Sequence, residues 1–269
     1  MIYMKPKTKV SKKHSDRLKG IMRISKKILI STILLLSCTM ANAYDIEVDG
    51  IYYNVNASDF TCEITNNGEN SYSGDIYIPK TVIYKNKTLN VTSIGYKAFY
   101  NCTDLTSISI GSGISQIRES AFYGCNKLTS ITIPFNVTKI EDYAFDGCNS
   151  LKELIIEDGL ETLSLGKCSF SHTYNGWTST YTRGLFYFNP IEALYLGRNI
   201  KCEQSPFYNN LYRDGNKSIK TVVIGNSVKS IERYTFYGCS GLTSAIIGNN
   251  VNHIEETAFA NCEDLKNIF

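Results

Sequence analysis

Histidine is nearly missing from this chain: three occur in 269 residues, at positions 14, 172 and 253. That leaves little for a Ser-His-Asp or Cys-His site, both of which need a base beside the nucleophile. The nine cysteines include no C-x-x-C pair, so the usual spacing of a zinc site is absent. Gly111-Ser-Gly113 is not followed by a helix pattern with Lys-Ser/Thr, which rules out a phosphate loop. Glu63, Glu69 and Asp75 lie close in sequence, but nothing orients them as an acid/base pair. No catalytic, cofactor or metal site is expected. The longest apolar run, Ile28–Leu36, is too short to span a bilayer as a helix.

That run belongs to a leader. Met22-Arg-Ile-Ser-Lys-Lys supplies a positive start, Ile28–Leu36 the apolar segment, and Ala41-Asn-Ala43 an A-x-A site, which together describe a secretory signal peptide cleaved after Ala43. Residues 1–21 read as an extension upstream of a true start at Met22. Leu35-Leu36-Ser37-Cys38 offers a second reading, a lipobox with a lipid anchor on Cys38 as the only membrane contact. Residues 1–43 hold ten of the 28 Lys/Arg and only one acid, Asp16. The remainder carries 18 basic and 24 acidic residues, and the formal charge of +3 becomes −6. An acidic exported chain is a poor partner for nucleic acid.

What the chain does have is a period. Ile94, Ile117, Ile140, Ile231 and Ile254 are each followed five residues later by Phe99, Phe122, Phe145, Phe236 and Phe259. Three residues on come Cys102, Cys125, Cys148, Cys239 and Cys262, and then, after three more, Leu105, Leu128, Leu151, Leu242 and Leu265. A unit returning every 23 residues marks a solenoid, in which each turn buries its apolar side only against its neighbours. Solenoids bind along extended faces, so the period argues for recognition over chemistry. Five cysteines at one repeat position predict a column of packed thiols, since a disulfide framework has irregular spacing.

Within a copy, Leu128-Thr-Ser-Ile131-Thr-Ile133 alternates apolar and polar and predicts a strand with Thr132 outward. Val137 to Ile140 reads as a second extended stretch on the far side, and Glu141 to Cys148 as one helical turn carrying Ala144 and Phe145 into the core. Residues 44–75 read as a β-rich cap, with Asp49-Gly50 a hairpin signal, and 76–269 as the solenoid. The period breaks near 166–184 and 209–218, where insertions map to surface loops. The last copy stops after Lys266-Asn-Ile268-Phe269, which suggests a missing downstream part.

The unit I-x-x-x-A-F-x-x-C-x-x-L-x-x-I-x-I-P resembles the BspA-like leucine-rich repeats of bacterial surface antigens, over about residues 74–269. Gly184-Leu-Phe-Tyr and Leu194-Tyr-Leu-Gly-Arg-Asn199 are similar to an insertion unit of gut Bacteroides relatives. The resemblance implies a right-handed β-rich leucine-rich-repeat solenoid with a parallel sheet on one face and short helical turns. It also implies a secreted or cell-surface protein that adheres to host or microbial surface proteins or glycans. It carries no catalytic residues. The alternative is a spacer or scaffold module of a larger surface protein.

Candidate ligand residues come from two places. The outward position inside Ile-x-Ile reads Ser109, Thr132, Ile155, Tyr195, Val223 and Ile246 along the stack, turning from hydroxyl to apolar beside the insertions. In the longer insertion, Trp177, Tyr174 and Tyr181 are expected to form an aromatic platform for a glycan or peptide.

Overall fold

The computed structural model describes residues 44–269 except 69, 204 and 210–213. The leader, Met22, Ala43 and Cys38 lie outside the described residues, as does Glu69. The described chain is built from short strands. The first are β1 (Ile46–Val48), β2 (Ile51–Asn56), β3 (Thr61–Thr65), β4 (Gly74–Tyr77), β5 (Thr81–Tyr84) and β6 (Lys87–Ile94). Next come β7 (Leu105–Ser109), β8 (Gln116–Ile117), β9 (Ser130–Ile133), β10 (Lys139–Ile140), β11 (Glu153–Ile156) and β12 (Leu163–Leu165). The middle holds β13 (Lys167–Tyr174), β14 (Trp177–Gly184), β15 (Ala193–Leu196), β16 (Ile200–Cys202), β17 (Tyr208–Asn209) and β18 (Asp214–Gly215). The chain finishes with β19 (Thr221–Ile224), β20 (Ser230–Ile231), β21 (Ser244–Ile246), β22 (His253–Ile254) and β23 (Asn267–Ile268).

The Ile-x-Ile strands stack as a parallel sheet in the order β23-β21-β19-β15-β11-β9, with β7 beside β4 in a separate pair. On the far side β6, β8, β10, β12 and β16 form a second parallel stack, and β20 pairs with β22. The cap meander β1-β2-β3 is antiparallel and then joins β6 in parallel, so it continues this second sheet and covers its first edge. Lys85 and Asn86, both at positive φ, close the β5–β6 hairpin that leads into the stack.

The periodic residues fill the space between the sheets. The phenylalanines stack in one file: ring centroids are 5.0 Å apart for Phe99–Phe122, 5.2 Å for Phe122–Phe145, and 5.0 Å for Phe236–Phe259. Phe186 and Phe207 carry the file across the irregular copies at 5.4 to 6.0 Å. Tyr72 and Tyr52 extend it into the cap. Burying each such ring is worth about 2–3 kcal/mol, with roughly 1 kcal/mol more per aromatic pair. This file adds to the buried Ile and Leu side chains that hold neighbouring copies together.

One local element differs from expectation. Among the described residues there is no helix, and Glu141 to Cys148 is a chain of tight turns. Two positions in every regular copy take a left-handed φ: Lys97, Ser120, Tyr143, Tyr234 and Thr257 two residues before Phe, and Asn101, Gly124, Gly147, Gly238 and Asn261 two residues after it. A left-handed residue breaks the i→i−4 pattern of a helix. The freed amides donate to the next copy instead, as in Phe99 N–H to Ala121 C=O (2.7 Å), Phe122 N–H to Ala144 C=O (2.8 Å) and Gly124 N–H to Asp146 C=O (2.8 Å). The turns thus form a third ladder that runs along the stack like the sheets.

The cysteine column is present and its thiols are unpaired. Cys125, Cys148 and Cys262 each lie 3.1 Å from the Phe carbonyl of the preceding copy, as thiol donors. In the two irregular copies an asparagine takes the same place. Asn189 Nδ2 donates to the Phe145 (2.9 Å) and Cys148 (3.2 Å) carbonyls, and Asn216 Nδ2 to Phe186 (2.9 Å) and Asn189 (2.7 Å).

A candidate recognition face

The register of the first sheet aligns the outward side chains. Thr132 lies beside Ile155, Ile155 beside Tyr195, Tyr195 beside Val223 and Val223 beside Ile246. Successive members are one strand spacing apart, about 4.8 Å. Thr132, Ile155, Tyr195 and Val223 are half-buried, and Ile246 at the end of the row is 48% accessible. Ser109 stands at the far end on β7, opposite exposed Tyr77 and outside the six-stranded ladder.

Tyr195 is anchored within this row. Its hydroxyl donates to Asp158 Oδ2 at 2.5 Å, and that hydrogen bond, with burial and the carboxylate charge, pushes its pKa up to about 12. The ring lies across a glycine: a Cβ on Gly225 would come within 2.7 Å of the Tyr195 hydroxyl and 2.6 Å of Asp158 Oδ1. A side chain at 225 would dislodge both.

Two exposed apolar residues border the row that the strand pattern did not single out. Phe135 follows β9 and is 56% accessible; Leu160 follows β11 and is 98% accessible. Their loops touch, since a Cβ on Gly159 would meet Phe135 Cβ at 3.5 Å. Glu157 accepts the Phe135 N–H at 3.0 Å. Beneath them Arg198 is fully buried and donates through Nη2 to the Pro134 carbonyl (2.8 Å) and through Nη1 to that of Phe135. Burial lowers its pKa, with Glu157 acting in the opposite sense. This guanidinium ties the strand end after β15 to a loop two copies earlier and so fixes where Phe135 stands. The only sequence signal was Phe135 itself, an aromatic in a turn whose counterparts are Lys80, Ser112 and Asn226.

The segment 166–184 is an antiparallel hairpin, β13 against β14, from Lys167↔Gly184 to Tyr174↔Trp177. Asn175 and Gly176, at φ 49° and 79°, make the two-residue turn. One face carries hydroxyls, with Ser171–Thr180 and Thr173–Thr178 each 2.9 Å apart. On the other face Phe170 and Tyr181 pair at 5.7 Å. Of the three aromatics expected to form a platform, Tyr174 and Trp177 are cross-strand partners and Tyr181 lies further along β14. Trp177 at the tip is 83% accessible, and four strand residues, about 13 Å, separate it from Tyr181. The Tyr174 side chain lies outside the described residues, as does that of His172. At the base Arg183 binds both oxygens of Asp146 (2.7 and 2.8 Å) and lies over Phe170 and Phe188.

The second insertion joins the first. Asn209 pairs with Arg183 and Asp214 with Asn209, giving one sheet in the order β13-β14-β17-β18. Trp177 and Tyr195 belong to different sheets.

Grooves on the second sheet are charged. One of about 680 Å³ is lined by Asn199, Lys201, Cys202, Glu203, Tyr208 and Glu232. The carboxylates nearby are engaged. Glu203 is 2.5 Å from Lys167, whose hydrogen bond lowers its pKa. Burial alone would raise Glu141, but the Lys139 ammonium and the Glu119 N–H outweigh it and hold the group below its usual value. Among the described residues no three His, Cys, Asp or Glu side chains converge as metal ligands.

The stacked strands, phenylalanine file and cysteine column match a sequence description. The BspA-type leucine-rich repeat model fits residues 68–190 and 206–269, in six copies. The chain belongs to this family. No curated protein matches it. Among solved structures, a leucine-rich repeat protein from Bacteroides ovatus is similar at 27% identity and a TM-score of 0.57, over 84% of this chain and 53% of that one. The chain therefore spans about half the length of that relative. The T. pallidum leucine-rich repeat protein aligns at 22% identity and the same TM-score, over 82% of this chain and 91% of its own, a likeness of fold. In BspA-type terms, the repeat interruptions here are the β13–β14 hairpin and the β17–β18 pair.

Proposed function

We propose that this BspA-type protein is an exported or cell-surface adhesin that recognises a protein or glycan through the outward face of its six-stranded sheet. The observation that carries the reading is the register-aligned row Ile155–Tyr195–Val223–Ile246, bordered by exposed Phe135 and Leu160. Ile155, Tyr195 and Val223 are half-buried and Ile246, Phe135 and Leu160 exposed, a contiguous accessible apolar patch of the kind that marks contact sites. Tyr195 supplies a ring with a fixed hydroxyl, and Asp158 beside it supplies the polar fixing point. Trp177 offers a second, independent contact at the hairpin tip.

The test is retention on arrays of host-matrix proteins and glycans. Ile155→Ser with Leu160→Ser should abolish retention while the circular dichroism stays unchanged, and Tyr195→Ala should weaken it. Loss with Trp177→Ala alone would move the site to the hairpin. Full retention by all three variants would refute the reading.

A further inference from the structure

The β13 edge of the β13–β14 hairpin is covered at its base and left open, among the described residues, over its outer half. A two-residue turn makes Tyr174↔Trp177 a hydrogen-bonded pair, so residues 168, 170, 172 and 174 direct their amides and carbonyls at β14. Residues 167, 169, 171 and 173 direct theirs outward. The base confirms this alternation. Lys167 N–H donates to Asp142 Oδ1 (2.9 Å) and its carbonyl accepts from Tyr143 N–H (3.2 Å). Ser169 N–H donates to the Tyr143 hydroxyl (2.9 Å), which in turn donates to the Ser169 carbonyl. Beyond Tyr143 the outward groups of Ser171 and Thr173 have no partner among the described residues, and both residues are exposed.

Open edges of this kind are normally blunted by lysine, proline or a bulge. Residues 168–174, Cys-Ser-Phe-Ser-His-Thr-Tyr, contain no Lys, Arg, Asp, Glu or Pro, and the β13–β14 pairing has no register shift. The bidentate Arg183–Asp146 pair fixes the hairpin at its base, so the edge is presented in one orientation. The segment is also self-complementary. Placed antiparallel to itself about residue 172, it sets Ser171 against Thr173 on the hydroxyl face and brings position 170 level with position 174. The Tyr143 hydroxyl at Ser169 limits the overlap at both ends to this register.

We propose that the outer edge of β13 pairs antiparallel with the same edge of a second copy of this chain, in a register centred on position 172. Ser171 and Thr173 of each copy exchange N–H and C=O groups with Thr173 and Ser171 of the other, joining the two β13-β14-β17-β18 sheets into one of eight strands. The partner's hydroxyls continue the Ser171–Thr180 and Thr173–Thr178 ladder. This proposal rests on the hairpin edge alone and does not depend on the recognition face.

The register is testable by cross-linking, because residue 172 of each copy would face itself in a non-hydrogen-bonded pair, whose Cα separation of about 4.5 Å suits a disulfide. Under mild oxidation His172→Cys should form a covalent dimer about tenfold faster than Thr178→Cys, an exposed thiol on the other strand. Adding Ser171→Pro, which removes an amide that β14 does not use, should abolish that advantage; Thr173→Asp provides the same test without altering the backbone. Sedimentation equilibrium from about 10 µM to about 1 mM should show a monomer–dimer equilibrium lost in both variants. A wild-type monomer throughout that range, with equal cross-linking at 172 and 178, would overturn the proposal and leave the edge to an unlike strand.

Discussion

Replacing Asn189 probes how the solenoid survives its own interruptions. The amide is 3% accessible, and its Nδ2 serves two buried carbonyls, those of Phe145 and Cys148. Truncation to alanine leaves both acceptors dry and opens a small void, which should cost about 2–4 kcal/mol. Cysteine restores one thiol donor in the geometry seen between Cys148 and the Phe122 carbonyl, at 3.1 Å, so its cost should fall to about 1 kcal/mol. Aspartate is the sharpest variant. It is isosteric but offers only acceptors to two carbonyls at neutral pH, and it should be the least stable of the series. Its folded pKa would be raised, so its deficit should shrink as pH falls and reach its minimum below the unfolded carboxylate value near about 3.9. Urea titration followed by far-UV circular dichroism gives the order wild type, Cys, Ala, Asp, with hydrogen exchange locating the weakened interface between the two copies. An alanine variant within about 0.5 kcal/mol of wild type, or an aspartate as stable as the alanine at pH 7, would refute the bridging role.

The buried thiols make a second expectation. Burial raises Cys62, Cys102, Cys202 and Cys262 from 9.0 to about 11, and Cys168 and Cys239 to about 12. Because folding holds these protons, the stabilisation is complete below pH 9 and is lost as pH rises from there towards 11–12, a loss measurable by alkaline unfolding. At pH 8 the half-buried Cys202 and Cys262 should alkylate first and the rest only on unfolding. Arg183→Lys should release the hairpin base at a cost of about 2 kcal/mol, seen as faster amide exchange over residues 168–183. Gly184→Ala should destabilise the stack more than a typical surface change, since the added carbon would lie 2.1 to 2.3 Å from the Ser205–Pro206 backbone; a Tm shift within error would contradict that packing. In an ultraviolet titration, Tyr195→Phe should remove one tyrosinate transition near pH 12.

Most of the stack was legible because its determinants repeat. Phe99, Phe122 and Phe145 occupy the same place in three consecutive copies, so chance is excluded and burial follows. The outward row was legible for the same reason, since a period of two fixes which face Ile155 and Tyr195 share. The turn segment was misread because Ala-Phe spacing suits a helix and a string of tight turns alike. What separates them is the left-handed φ at Lys97, Ser120, Tyr143, Tyr234 and Thr257, four residue types over five positions with no common signature. Segment 166–184 reads as a surface loop from its polar Ser/Thr alternation, although Asn175-Gly176 between β-formers is a hairpin turn signal, and only the pairing of its strands makes that plain. The joining of the two insertions into one sheet was not legible at all, because Arg183↔Asn209 is a single long-range pairing with no period behind it.

The position of those insertions follows from which ladders each copy must keep. Three ladders run along the stack: two sheets and the row of turns. The first sheet continues unbroken from β9 through β15 and β19 to β23, and the phenylalanine file continues with it. Extra residues enter only on the other side, after β12 and after β17, where the second sheet itself ends at β16 and resumes at β20. At that break Asn199 Oδ1 accepts the Lys229 (2.8 Å) and Ser230 (3.4 Å) amides, doing with a side chain what a strand carbonyl does elsewhere. Asn189 and Asn216 likewise reach two carbonyls where a cysteine reaches one. A longer amide at each of three places bridges copies that no longer sit at the regular spacing. Asparagine in place of the repeat cysteine is therefore the physical accompaniment of an inserted hairpin, since it lets the core continue while the surface departs from the period.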